Sequence, residues 1–168
     1  MAKFHEVEGD ILLSGAQAIV HGVAPGDHFD SGLALSLRER WPSLAKDFRH
    51  HCHLTHPKPG DLWPWDGVTD DGSVTHIINL MTQEPSPNGS GHPGKASTEY
   101  VGRALRALEQ HAKKENLGSL ALPRLATGVG GLSWAEVKPL IEHYLADLDI
   151  PVYLYVTYHK DQKAAEPV

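Results

Sequence analysis

Short apolar runs alternate along this chain with longer stretches whose apolar residues recur at helical spacing. Residues 18–23, 75–81, 119–123 and 152–157 read as buried strands, and residues 4–7 as a short opening strand. Residues 32–41 predict a helix that Pro42 stops. Residues 97–114 predict an amphipathic helix, with Val101, Leu105 and Leu108 on one stripe and Arg103, Arg106 and Glu109 off it. Residues 133–145 predict another. Two stretches are too rich in breakers for regular structure: residues 56–72, with Pro57, Pro59 and Pro64, and residues 85–94. Residues 1–160 read as one domain and residues 161–168 as a flexible C-terminal tail. Strands alternating with helices argue a mostly parallel sheet covered on both faces. In such sheets ligands sit at the carboxyl ends of the strands.

Composition narrows the function. At 168 residues the chain can bury a sizeable core as one domain. Its net charge of -6, from 21 acidic and 15 basic residues, is the wrong sign for gripping duplex nucleic acid by its backbone. A nucleic-acid role needs a local basic patch, or recognition of a small feature. The single Cys52 excludes an internal disulfide and fits a reducing compartment. The first residues lack the apolar core of a signal peptide, and no apolar run approaches the roughly 18 to 20 residues of a membrane span. A cytoplasmic monomer with no membrane partner is expected.

The unusual residues lie where strands end. Gly9-Asp10-Ile11 follows the opening strand, residues 24–32 link the second strand to its helix, and residues 82–95 follow the third. Residues 123–131 are the most informative, because Gly128, Gly130 and Gly131 free backbone N–H groups to face an anion such as a phosphate. The alternative is a plain flexible turn. Ser31-Gly32 opens a helix and offers a second anion site, and two on one rim suit a diphosphate.

Gly9-Asp10-Ile11, then Ala18-Ile-Val, a glycine-ended loop opening a helix, Leu122-Pro123-Arg124 and Thr127-Gly-Val-Gly-Gly-Leu-Ser-Trp134 together resemble a macrodomain. The order matches over nearly the whole chain. The run from Pro123 to Trp134 is similar to the branch that holds terminal ADP-ribose glycohydrolases and DNA ADP-ribosyl glycohydrolase antitoxins. The resemblance implies a three-layer α/β/α fold with a mixed, mostly parallel central sheet, binding ADP-ribose or an ADP-ribosylated macromolecule, modified DNA among them, with no cofactor and no metal. It implies that Asp10 accepts a hydrogen bond from the adenine amino group, with Gly9 and Ile11 beside it and Tyr155 or Tyr158 flanking the ring. Ser31 and Gly32 approach the diphosphate and distal ribose, Thr127, Gly128, Val129 and Gly130 form the second phosphate loop, and His21 stands at the ligand in place of the family's usual Asn.

Two departures bear on catalysis. The branch's nucleophilic lysine follows the third strand, where this chain has Gln83; the nearest substitute is Lys95, the catalytic candidate. The aspartate that resolves a lysine adduct in the ester hydrolases corresponds to Gly130, which tilts the substrate toward an ADP-ribosylated nucleobase. Asp27, His28 and Asp30 supply titratable groups as alternatives. Three activities fit: an ADP-ribosyl hydrolase, a non-catalytic ADP-ribose reader, and an ADP-ribose 1″-phosphate phosphatase using His21 or His28. His50, His51, Cys52, His53 and His56 invite a zinc reading, but no matched Cys pair completes four ligands, and a solvated helix end is expected instead.

Overall fold

A computed structural model describes residues 2–69, 71–86 and 89–168. Asp70, within the stretch expected to be irregular, and Pro87 and Asn88, within the expected Pro/Gly loop, lie outside the described residues. Among these described residues six strands form one sheet: β1 (Lys3–Gly9), β2 (Ala18–Val23), β3 (Leu62–Val68), β4 (Val74–Met81), β5 (Leu120–Pro123) and β6 (Pro151–Tyr158). Their order is β1-β6-β5-β2-β4-β3, parallel throughout except for the antiparallel edge strand β3. Among the described residues four α-helices cover it: α1 (Gly32–Arg40), α2 (Pro42–Thr55), α3 (Thr98–Lys114) and α4 (Trp134–Leu145).

Strand alternation sorts the core into two halves. Ala18, Val20, Ile78, Leu80, Leu120, Leu122, Val152 and Leu154 pack under α3 and α4, against Val101, Leu105, Leu108, Val137 and Ile141. Their neighbours Ile19, Ile77, Met81, Ala121 and Tyr153 point the other way, toward Leu37 of α1 and Leu44 and Phe48 of α2. This is the expected three-layer α/β/α arrangement with a mixed, mostly parallel sheet. Each buried leucine stabilises by about 2 kcal/mol through the area it removes from water.

Three segments differ from expectation. Residues 62–68 form β3 despite Pro64, because an edge strand tolerates a missing N–H. Pro42 ends α1 but also opens α2, where its lost N–H would have no partner in any case. The expected flexible tail is anchored instead. Asp10 N–H donates to Gln162 O (2.7 Å), and Tyr153 Oη donates to Pro167 O (2.7 Å). The Glu166 carboxylate accepts from Ser14 Oγ, Gly15 N–H and Tyr155 Oη at 2.6–2.8 Å.

Candidate functional site

A groove of two lobes crosses the carboxyl ends of the strands. The outer lobe, about 380 Å³, is lined by Gly9, Asp10, Ile11 and Leu12 after β1, by Leu33 and Ser36 of α1, and by Tyr155 and Tyr158 of β6. The inner lobe, about 210 Å³, is lined by His21, Asp27, Gln83, Arg124 and the turn Gly128–Val129–Gly130, among others. Gly32, Leu33 and Pro123 border both lobes, which makes them one groove. A larger hollow, about 670 Å³, lies at the opposite end, by Lys3, Ser119 and Pro151. That is the amino-terminal edge of the strands, where parallel sheets do not carry their ligands.

In the outer lobe, Asp10 is buried and caps a single 3-10 turn, Ile11–Leu13. Leu12 N–H donates to its Oδ1 (3.0 Å) and Asp161 N–H to its Oδ2 (3.0 Å). Each oxygen keeps a lone pair, so the carboxylate can still accept one more donor from the lobe. Tyr155 is buried with its hydroxyl held by Glu166, and burial together with that bond raises its pKa; Tyr158 is exposed on the lip.

The first loop is folded by its own residues. Asp27 is buried, and its carboxylate accepts from Ala24 N–H (3.2 Å) and Phe29 N–H (2.9 Å). Burial raises its pKa, and the two amide bonds oppose that shift. Phe29, at φ +58°, plugs the core against Phe48 and the edge of His21. Gly32 has φ +60° with open space around a would-be Cβ, so backbone conformation selects glycine there. Ser31 caps α1 without a side-chain hydrogen bond, leaving the helix's first amides for a ligand.

The second turn differs from a helix-terminus site. Ser133 and Glu136 close the amino end of α4 with a capping box, so an anion would face the turn itself. Among the described residues, the N–H groups of Gly128, Val129 and Gly130 make no hydrogen bond, while Gly131 N–H returns to Gly128 O (3.0 Å). Thr127 turns its hydroxyl onto Arg124 O (2.9 Å). A Cβ on Gly130 would lie 2.6 Å from Ala126 O and 3.0 Å from Ala96 Cβ, which leaves no room for the branch's aspartate.

At the floor of the inner lobe, His21 Nε2 meets Asn79 Oδ1 (2.6 Å), and Asn79 Nδ2 donates to Trp63 O (3.1 Å). That second bond fixes the amide with its oxygen toward His21, so Nε2 carries the proton and Nδ1 keeps a lone pair. Burial lowers the imidazole pKa to about 4, so it is neutral near pH 7. Gln83 is buried in the lobe and donates from Nε2 to Gly94 O (2.9 Å). Lys95 is exposed and lines neither lobe; its backbone carbonyl accepts from Glu84 N–H (2.9 Å).

Residues 32–141 match the Macro domain family. The chain is a macrodomain. It is 28% identical over 162 residues to a DNA ADP-ribosyl transferase–DNA ADP-ribosyl glycohydrolase fusion protein of Thermosipho africanus, covering 92% of this chain and 42% of that protein. The macrodomain of Thermus aquaticus DarG superimposes with a TM-score of 0.78 at 26% identity, covering 93% of this chain and 99% of that one. Thermosipho africanus DarTG in complex with ADP-ribose gives 0.80 at 25% identity, covering 96% of this chain and 43% of that one. This macrodomain spans about two fifths of the length of the DNA ADP-ribosyl glycohydrolase relatives it matches.

The macrodomain brings the expected ADP-ribose contacts to the groove except Thr127, which turns back on Arg124. Of the catalytic candidates, Asp27 and His21 line the inner lobe, whereas Lys95, His28 and Asp30 line neither lobe, and Asp30 meets His92 Nδ1 (3.2 Å). Sequence reasoning missed Leu12, Leu33, Ser36 and Arg124 as lining groups, while Gln83 lines the inner lobe as its match to the branch's lysine position implies. Arg124 had a signal: it sits one residue past a strand end, and its guanidinium lies 5.9 Å from the Trp134 ring centre. Along α2, His51 stacks on Trp63, and among the described residues no three His, Cys, Asp or Glu side chains are placed to hold a metal.

Proposed function

We propose that this protein binds ADP-ribose along the two-lobed groove and hydrolyses it from a modified macromolecule, with an ADP-ribosylated base in DNA as substrate. The observation that carries the reading is the junction of the lobes, where the uncapped start of α1 faces a turn with three free amides. Such donors hold a diphosphate without a metal. The outer lobe then takes adenine, with the amino group on Asp10 and the ring between Leu33 and the two tyrosines. The inner lobe takes the distal ribose. The names of the relatives, DNA ADP-ribosyl glycohydrolases among them, support the substrate.

Without a lysine in the lobe, the reaction uses water. Water adds to the anomeric carbon, its proton passes to Asp27, and the bond to the base breaks with its electron pair leaving on the base. A carboxylate whose pKa is raised by burial is a stronger proton acceptor. Neutral His21 accepts a ribose hydroxyl at Nδ1. The groove is complete within one chain, which supports a monomer. Among the described residues, no helix is long and apolar enough to cross a membrane, in keeping with a cytoplasmic site of action.

Gln83, tied to Gly94 in the place of an amine, favours a second reading: a reader of ADP-ribose without turnover. One experiment separates the two. The protein is incubated with ADP-ribosylated DNA, ADP-ribosylated protein and ADP-ribose 1″-phosphate, and free ADP-ribose is quantified. Release from DNA supports the hydrolase; binding without release supports the reader; consumption of the phosphate alone would replace both with a phosphatase.

A further inference from the structure

The positive charge of this acidic chain is unevenly placed. Residues 38–58 carry Arg38, Arg40, Lys46, Arg49 and Lys58 against only Glu39 and Asp47, together with four histidines. Part of this stretch opens on a hollow of about 410 Å³ between the first loop and the carboxyl end of α2, lined by His28, Arg49, His53 and His56. Asp27 lines both this hollow and the inner lobe, so the two lie one residue apart.

The groups around the hollow are free to receive a ligand. Among the described residues, no hydrogen bond or ion pair engages the Arg49 guanidinium or the imidazoles of His53 and His56. The one carboxylate in the lining, Asp27, is buried and turned onto the amides of Ala24 and Phe29. Cys52 accepts from Gly26 N–H (3.4 Å), and burial pushes its thiol pKa up, so it adds no negative charge.

We propose that this hollow seats a backbone phosphate of the single nucleic-acid strand that carries the ADP-ribose. The inference rests on the reading that the inner lobe holds the distal ribose. The base attached to that ribose then leaves the groove beside Asp27, and the strand on either side of it carries phosphates within reach of Arg49 in the hollow. Guanidinium and imidazole groups supply the donors a phosphate requires. A modified protein would bring no regular series of anions to this face. The overall acidity of the chain then prevents tight non-specific binding while one local patch registers the correct strand.

The test compares half-saturation, read as KM where the substrate is turned over and as Kd where it is not. The probes are free ADP-ribose, a nucleoside bearing ADP-ribose on its base, and a short DNA strand bearing one such base. Arg49→Glu is exposed on α2 and touches neither lobe, and Arg49→Gln controls for charge reversal. Arg49→Glu is expected to raise half-saturation on the strand about tenfold, while the nucleoside and free ADP-ribose stay within about twofold. In Arg49→Gln the slope of log affinity against log salt on the strand should fall by about 0.7, the value for one phosphate contact on a single strand. An unchanged strand affinity and slope would overturn the proposal, as would an equal loss for the nucleoside or for an ADP-ribosylated peptide. If the unaltered protein binds no ADP-ribose at all, the functional reading fails first and takes this inference with it; intact ADP-ribose binding without the Arg49 effect removes only the phosphate seat.

Discussion

Two glycines in one turn give opposite expected results when substituted. A Cβ on Gly128 meets nothing within 4 Å, and its backbone lies outside the left-handed region, so Gly128→Glu should fold normally. Its stability should change by less than about 0.5 kcal/mol, as at other unconstrained surface positions. Its carboxylate, however, enters the space assigned to the diphosphate. At about 5 Å and an effective dielectric near 20, each like-charge pair costs about 3 kcal/mol. Against a binding energy of about -8 kcal/mol, that lowers ADP-ribose affinity at least about a hundredfold. Gly130→Ala behaves in reverse. Its Cβ would press on Ala126 O at 2.6 Å and Ala96 Cβ at 3.0 Å, at a stability cost of about 1–3 kcal/mol. Calorimetric titration with ADP-ribose and urea unfolding of both variants separate binding from folding. Normal binding by Gly128→Glu would show that the turn faces no anion, and loss of its fold would show that the space around it is misjudged.

Other residues make distinct demands. Asp10→Ala should weaken ADP-ribose binding by about 1.5–3 kcal/mol and also destabilise the fold by about 2 kcal/mol, because the Leu12 and Asp161 amides lose their acceptor; unchanged calorimetry would remove the adenine assignment. Lys95→Ala should leave any turnover unchanged, whereas Asp27→Asn should lower it at least about a hundredfold and, with one acceptor oxygen left for the Ala24 and Phe29 amides, also loosen the first loop and weaken ADP-ribose binding; turnover lost in Lys95→Ala and kept in Asp27→Asn would restore the lysine. His21 is protonated in the unfolded chain near its ordinary pKa of 6.5 but in the fold only near 4. Stability should therefore fall as pH drops from about 6.5 to about 4, by up to about 3 kcal/mol, and level off below. Urea midpoints across that range should slope less in His21→Asn, and parallel slopes would place the proton elsewhere.

The strand-helix alternation was legible because each buried strand is a short apolar run and α3 keeps a strict stripe. What escaped was structure whose local signals are breakers. Pro64 and Gly67 hide β3, which exists because β4 offers it an edge. Pro42 marks one helix's end and the next one's start, a distinction that only the packing of Leu44 and Phe48 decides. Residues 161–168 are polar and look unattached, but their anchors are Asp10, Ser14 and the β6 tyrosines, more than a hundred residues away or hidden in a strand. That Asp10 and the Gly128–Gly130 turn lie along the groove was readable from residue type and position. The exposure of Lys95 was not, since it depends on how Glu84 and Gly94 pair across the loop.

The parallel pairing of β1 with β6 has a consequence for when the groove comes into being. The two strands are about 150 positions apart, and β6 is the last element of the chain. Contacts of such separation close late, after local helices and neighbouring strands have formed. The inner lobe draws its lining from β2, α1 and the turn after β5, and none of it from β6. The outer lobe needs β6: Asp10 accepts from the Asp161 amide just past it, and Tyr155 of β6 is one of its walls. A chain that has not yet docked β6 therefore lacks the outer lobe, and the groove is whole only once its two most distant strands have met.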